Sequence, residues 1–186
     1  MIQERSSSTR RAMFKEIQLR TEEKALQLLL DMPIRWSSTF VMLDRAESKK
    51  THVNTFVYEL GVKESDLRKR TKIDALMLSP DEWIRVRLFT DLLAHADRAQ
   101  QAFSSDAGPS LHYALPALEG LHKAWLSRSE KVKYIDFTDA LSAGVEKINE
   151  YYEKTADSDA YIFAMCMLSL NFYNDIYHVV TFSAGP

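Results

Sequence analysis

The sequence predicts an all-α protein, an irregular bundle of five to seven helices. Three observations point there. Apolar residues recur at three- and four-residue steps along most of the chain, no alternating strand pattern appears, and 186 residues contain only five Gly and five Pro. Helical spacing gathers apolar side chains into one stripe that demands burial. Few breakers favour long regular elements over a turn-rich sandwich. With 46% hydrophobic and 27% charged residues, the composition is that of an ordinary globular protein large enough to bury a core.

The first helix is expected from Ser6 to Leu19, capped by Ser8 or Thr9, with Met13, Phe14 and Ile17 as its apolar face. After a polar turn, Ala25 to Leu30 is a short apolar run that periodicity cannot assign. It is read as an extended or partly helical lead-in to the break at Pro33. From Ser37 to about Leu60 the stripe Phe40, Leu43, Ala46, Val53, Phe56, Val57 and Leu60 predicts one helix, closed by Gly61, with Lys49 and Lys50 on its polar side. Val62 to Leu78 alternates charges and reads as an exposed short helix or loop.

Ser79-Pro80-Asp81-Glu82 carries a capping box, with Ser79 at the cap, Pro80 at the first helical position and Glu82 at the third. The stripe Trp83, Val86, Phe89, Leu92, Leu93, Ala96, Ala99 and Phe103 follows, and Ser104 to Ser110 reads as a loop. Leu111, Leu115, Leu118, Leu121 and Trp125 mark another helix, with Pro116 near its start. Phe137, Leu141, Val145, Ile148 and Tyr152 mark the next, Thr155 to Ser158 interrupts, and a short apolar helix runs from Asp159 to about Leu170.

Asp31-Met32-Pro33-Ile34-Arg35-Trp36-Ser37-Ser38-Thr39-Phe40 brings a breaker, a cation, an aromatic and three hydroxyls into ten residues. Pro33 stiffens the chain ahead of Arg35 and Trp36, and Ser37, Ser38 or Thr39 can cap the helix that follows. An Arg and a Trp beside a helix N-terminus suit phosphate and a stacked base. The same pair also fits a hydrophobic anchor with a snorkelling Arg. Asp31 is placed to orient the Arg35 guanidinium.

Net charge is −2, yet residues 1–72 carry 15 Lys and Arg against 10 Asp and Glu, an excess that solvated helix faces often produce and that makes the first part the place for a polyanion if one is bound at all. Catalytic signals are sparse. There is no phosphate loop, nucleophile elbow or zinc spacing. Asp91 and His95 share a helix face but make only two ligands; His112, His122 and His178 have no paired carboxylate; Asp157 and Asp159 read as capping acids. No metal and no cofactor is expected, and no small-molecule substrate is evident. Cys166 is the single cysteine and sits in an apolar run, which fits a buried residue in a reducing compartment. No signal-peptide core follows Met1, and no stretch is long and apolar enough for a membrane span. A soluble intracellular protein is the expectation.

The run Leu28 to Ala46, through Asp31, Arg35-Trp36, Ser37-Ser38-Thr39, Met42-Leu43 and Arg45-Ala46, resembles the Arg-Trp signature of hAT-superfamily transposases. Ser7 to Phe14 resembles the basic, hydroxyl-rich segment ahead of it. Leu78 to Trp83 and Ser110 to Leu121 resemble two helix openings of the family. The resemblance covers about residues 6–168 and implies the helical insertion of an RNase H-like transposase, in a nuclear protein. There the matching Trp stacks against transposon-end DNA where a base is displaced as a hairpin forms, which makes Arg35 and Trp36 the DNA-binding positions. The family cuts with three metal-binding acids, two well before the Arg-Trp pair and one far after it. Glu4, Glu16, Glu22 and Glu23 lie on a helix pattern instead, so no catalytic acid transfers. After Ala164-Met165 the chain departs into an aromatic tail, Phe172 to Phe182.

The organisation expected is one helical domain over 1–186: a basic N-terminal helix and lead-in at 1–30, an insertion-like region at 31–170, and a divergent tail at 171–186. The function expected is that of a truncated fragment of a hAT-like DNA transposase, contacting transposon-end DNA through Arg35 and Trp36 without catalysis of its own. The alternatives are a helical interaction or self-association module, using Phe172, Tyr173, Ile176 and Tyr177, or a transposon relic without function.

Overall fold

The computed structural model describes residues 8–32, 36–104, 111–156, 159–161 and 163, excepting the side chains of Trp36, Phe103 and Ala156. Among them are seven α-helices, one 3-10 helix and no strand, as the spacing predicts. The helices are α1 (Ser8–Leu19), α2 (Trp36–Ser48), α3 (Lys50–Lys63), α4 (Leu67–Asp74), α5 (Pro80–Phe103), α6 (Leu111–Ser129) and α7 (Thr138–Ala156), with the 3-10 turn at Val132–Phe137. They fall into two compact units, 1–94 and 95–186, and the division lies within α5.

In the first unit α1 packs on α3. Its core is Met13, Phe14, Ile17, Leu28 and Phe56, flanked by Val53, Val57 and Leu60. Phe14 and Phe56 meet edge to face at 5.5 Å, a geometry the ring quadrupole favours. Gln18 is fully buried. Its amide donates to the carbonyls of Phe14 (3.2 Å) and Leu26 (3.0 Å) and accepts from the Leu26 N–H at 3.0 Å. One side chain thus satisfies both backbone groups of Leu26, which holds the non-helical lead-in against α1.

The single helix expected over Ser37 to Leu60 is two. The chain leaves helical geometry at Lys49 (φ −110°, ψ 20°) and resumes at Lys50. Lys49 is not on the polar side but buried, donating to the Glu22 carboxylate, while Lys50 sits 5.5 Å over the Trp83 ring. Gly61 does not close the helix. It stays inside α3, buried, where an added Cβ would come 2.5 Å from Asp74 Oδ1. Close approach to α4, not a left-handed turn, is what a glycine provides there.

The exposed segment after α3 holds α4, capped by the Asp66 carboxylate, which accepts from the Arg68 N–H (2.9 Å) and Lys69 N–H (3.4 Å). The capping box forms as read: Ser79 N–H donates to Glu82 at 2.8 Å and Glu82 N–H to Ser79 Oγ at 3.2 Å. The Ser79 N–H and the Ser79 hydroxyl, the latter at 2.9 Å, both donate to the Glu82 carboxylate, which favours its ionised form and holds the carboxyl below its usual range. Trp83 is buried and donates from Nε1 to Asn54 at 3.2 Å. Phe89, placed on the apolar stripe by spacing, is 38% exposed.

In the second unit α6 and α7 pack along each other. Ala96 and Ala99 of α5 join Leu121 and Ile148 in its core, with Ala117, Leu118 and Trp125 against them. Pro116 lies inside α6 without ending it. The 3-10 turn buries Tyr134, with the Lys133 ammonium 4.9 Å from its ring. Thr155 does not interrupt a helix; it is buried in the last turn of α7. The expected loop at 105–110, Asp157, Cys166, His178 and the tail Phe172 to Phe182 lie outside the described residues.

Candidate nucleic-acid interface

Trp36 is the first residue of α2, so its backbone stands at a helix N-terminus as the sequence suggests. Arg35, Ile34, Pro33 and the Trp36 side chain lie outside the described residues. The site is therefore defined by what flanks the Arg-Trp pair.

On one side Asp31 and Met32 are exposed; on the other, Ser37, Ser38 and Thr39 are partly buried in the first turn of α2. Because the helix starts at Trp36, Ser38 and Thr39 fall within it, and their hydroxyls turn back to the incoming chain. Ser38 Oγ lies 2.7 Å from Asp31 Oδ1 and accepts from the Met32 N–H at 2.8 Å. Thr39 Oγ1 donates to the same Asp31 oxygen at 2.9 Å. Asp31, expected to serve Arg35, is thus engaged by two hydroxyls. The Ser38 and Thr39 bonds hold its carboxyl below the usual aspartate value.

The junction is also tied from behind. Arg45 on α2 donates to the Gln27 carbonyl at 3.1 Å. Glu22 receives Lys49 at the α2–α3 break and lies 3.8 Å from His52 Nδ1, whose Nε2 is 2.9 Å from Thr21 Oγ1. The Lys49 hydrogen bond holds the Glu22 carboxyl below its usual range. Lead-in, α2 and α3 are consequently pinned by polar contacts on both sides of the pair. Gln18 and Lys49 escaped the sequence reading because hydrophobic periodicity registers only apolar positions.

Cations surround the lead-in. Arg11 and Lys15 are exposed on α1 and line a 380 Å³ groove with Ser8, Gln18 and Leu26. The groove's cationic residues suit an anion, although Ala12, Phe14 and Ala25 also line it. A second cavity of 230 Å³ is mostly apolar, lined by Leu43, Phe56, Leu60, Ile73 and Trp83, with Arg10 and Asn54 as its polar members.

Asp91 and His95 do not grow into a metal centre: among the described residues no three His, Cys, Asp or Glu side chains converge. His95 Nδ1 instead lies 2.9 Å from an Arg98 nitrogen. The His112 and Tyr113 rings lie 3.9 Å apart, tilted by 46°, and His122 borders a surface groove on α6 and α7. No helix among the described residues is long and apolar enough to cross a membrane.

The model of the ZBED1 RNase-like helical domain matches residues 2–92. No curated protein and no solved structure matches the chain. The match ends close to the limit of the first compact unit and contains α1 to α4, the Arg-Trp pair and the capping box. Residues 2–92 are therefore similar to the ZBED1 RNase-like helical domain.

Proposed function

We propose that the chain is a helical fragment of a hAT-like DNA transposase, or of a protein derived from one, and that it contacts transposon-end DNA through Arg35 and Trp36. The observation that carries this reading is the coincidence of the Arg-Trp signature with a helix N-terminus, at α2, inside the region similar to the ZBED1 RNase-like helical domain. A helix N-terminus offers unpaired N–H groups and partial positive charge to a phosphate. An indole beside it supplies a stacking platform for a displaced base. Cleavage is not part of the proposal, because no set of three acids matching the family's metal site can be named in this sequence.

Binding of the purified protein to labelled DNA with a hairpin or flipped-base end, across a salt series, tests the reading. Loss of a stacked Trp should cost about 1–3 kcal/mol. Trp36→Ala and Arg35→Ala should therefore weaken binding about tenfold or more while circular dichroism stays unchanged. Equal binding by wild type and both variants would remove the pair from the interface, and metal-dependent cleavage by the wild-type chain would overturn its non-catalytic role.

A further inference from the structure

The α4 helix carries four cations in five residues, Arg68, Lys69, Arg70 and Lys72, all exposed, with Lys63 exposed just before it. Its own acids are occupied. Asp66 caps the N-terminus, and Asp74 lies 3.7 Å from Arg70 at the other end. Lys69 keeps only a 3.9 Å approach to Asp66. Arg68 and Lys72 make no ion pair among the described residues. They sit four residues apart, on one face and about 6 Å along the axis.

α4 buries a single apolar residue, Ile73, and its one other apolar side chain, Leu67, is 76% exposed at the first position. A helix that inserts into a lipid surface needs a continuous apolar face, and α4 has none. A cationic ridge without an apolar face suits the phosphate backbone of a nucleic acid, where affinity comes from released counterions and not from burial.

We propose that α4 is a second, sequence-independent DNA contact, with Arg68 and Lys72 each neutralising a backbone phosphate of duplex DNA. It rests on the reading of the chain as a DNA-contacting protein, and it adds to the Arg35-Trp36 contact a surface that recognises duplex rather than an end.

The test uses the full chain and two labelled DNAs, a blunt duplex and a hairpin-ended duplex, over roughly 50–200 mM salt. Arg68→Gln with Lys72→Gln should weaken binding to both DNAs on the order of tenfold and flatten the log–log salt slope by about 1.8, or about 0.9 per lost phosphate. The charge-preserving Arg68→Lys with Lys72→Arg should restore both. Trp36→Ala should affect the hairpin-ended DNA alone. Wild-type affinity and slope in the Gln variant would overturn the α4 contact while leaving the Arg35-Trp36 contact standing. A weakened Gln variant beside an unaffected Trp36→Ala would do the reverse. No binding of wild type to either DNA at the lowest salt would overturn both. Binding to phosphatidylserine vesicles, lost in the Gln variant without DNA binding, would make α4 a membrane contact instead.

Discussion

Ser38 Oγ lies 2.7 Å from Asp31 Oδ1, joining the chain on either side of positions 33–35. Together with Thr39 it holds the Asp31 carboxyl below its ordinary value. A depressed carboxyl stabilises the folded state above its unfolded pKa, and that contribution disappears as pH falls through the folded pKa. Ser38→Ala with Thr39→Ala should move the Asp31 titration, followed by NMR, upward to the ordinary aspartate range. It should also abolish the part of acid destabilisation that Asp31→Asn removes. An unmoved midpoint would mean that the hydroxyls are not what holds it.

Lys49 and Glu22 form a pair in which the ammonium is buried and the carboxylate one-third exposed. Lys49→Met keeps the stem but leaves Glu22 without its cation, so the melting temperature should fall. Adding Glu22→Gln to that variant should recover part of the loss. The Arg20–Glu59 pair, with Arg20 47% exposed, should tolerate Arg20→Ala with a smaller change, as exposed pairs generally do. Thermal denaturation of wild type, Lys49→Met, Glu22→Gln and the double variant measures the coupling, with Arg20→Ala run beside them.

Gly144 faces the indole of Trp125, and a Cβ there would lie 2.6 Å from Cζ3 and 2.9 Å from Cε3. Gly144→Ala must therefore displace a large packed ring, a kind of overpacking that costs about 1–3 kcal/mol. Gly120, with nothing within 4 Å of such a Cβ, should gain about 0.5–1 kcal/mol as Ala through helix propensity alone. Urea denaturation of the two variants should show opposite signs. Trp125→Leu should relieve the penalty at position 144.

Glu150 accepts from both Lys147 and Lys154 at 2.6 Å, which holds its carboxyl at about 2 against an ordinary 4.5. This contribution is complete above about 4.5 and lost as pH falls toward 2. Glu150→Gln should thus differ from wild type in melting temperature at pH 6 and converge with it near pH 2. Because all three side chains are exposed, the difference should also shrink in high salt. A pH-independent difference would trace it to something other than charge.

The sequence reading succeeded where local chemistry is decisive. Ser79, Pro80 and Glu82 specify a helix start irrespective of the surroundings, and Met13, Phe14 and Ile17 form a stripe that needs covering. It failed where packing overrides a local rule. The apolar spacing from Ala46 to Val53 runs unbroken across the interruption at Lys49, because one non-helical residue scarcely shifts a stripe. Gly61 looks like a stop from its type, yet Asp74 and Ile73 beside it explain its place inside α3. Tyr134 is buried from a 3-10 turn whose period matches neither helix nor strand. At the candidate site the junction at α2 was legible, whereas the engagement of Asp31 by Ser38 and Thr39 followed from where the helix begins, one residue before the earliest expected cap.

The edge-to-face meeting of Phe14 and Phe56 has a consequence for synthesis on the ribosome. α1 emerges before α3, bearing Met13, Phe14 and Ile17, and apart from Leu28 the core residues that cover them belong to α3. At about 5–20 residues per second, that stripe waits a few seconds for α3, with Leu28 and the Gln18 clamp on Leu26 beside it. During that interval the nascent chain exposes its own adhesive surface, which makes α1 the segment for a chaperone to hold.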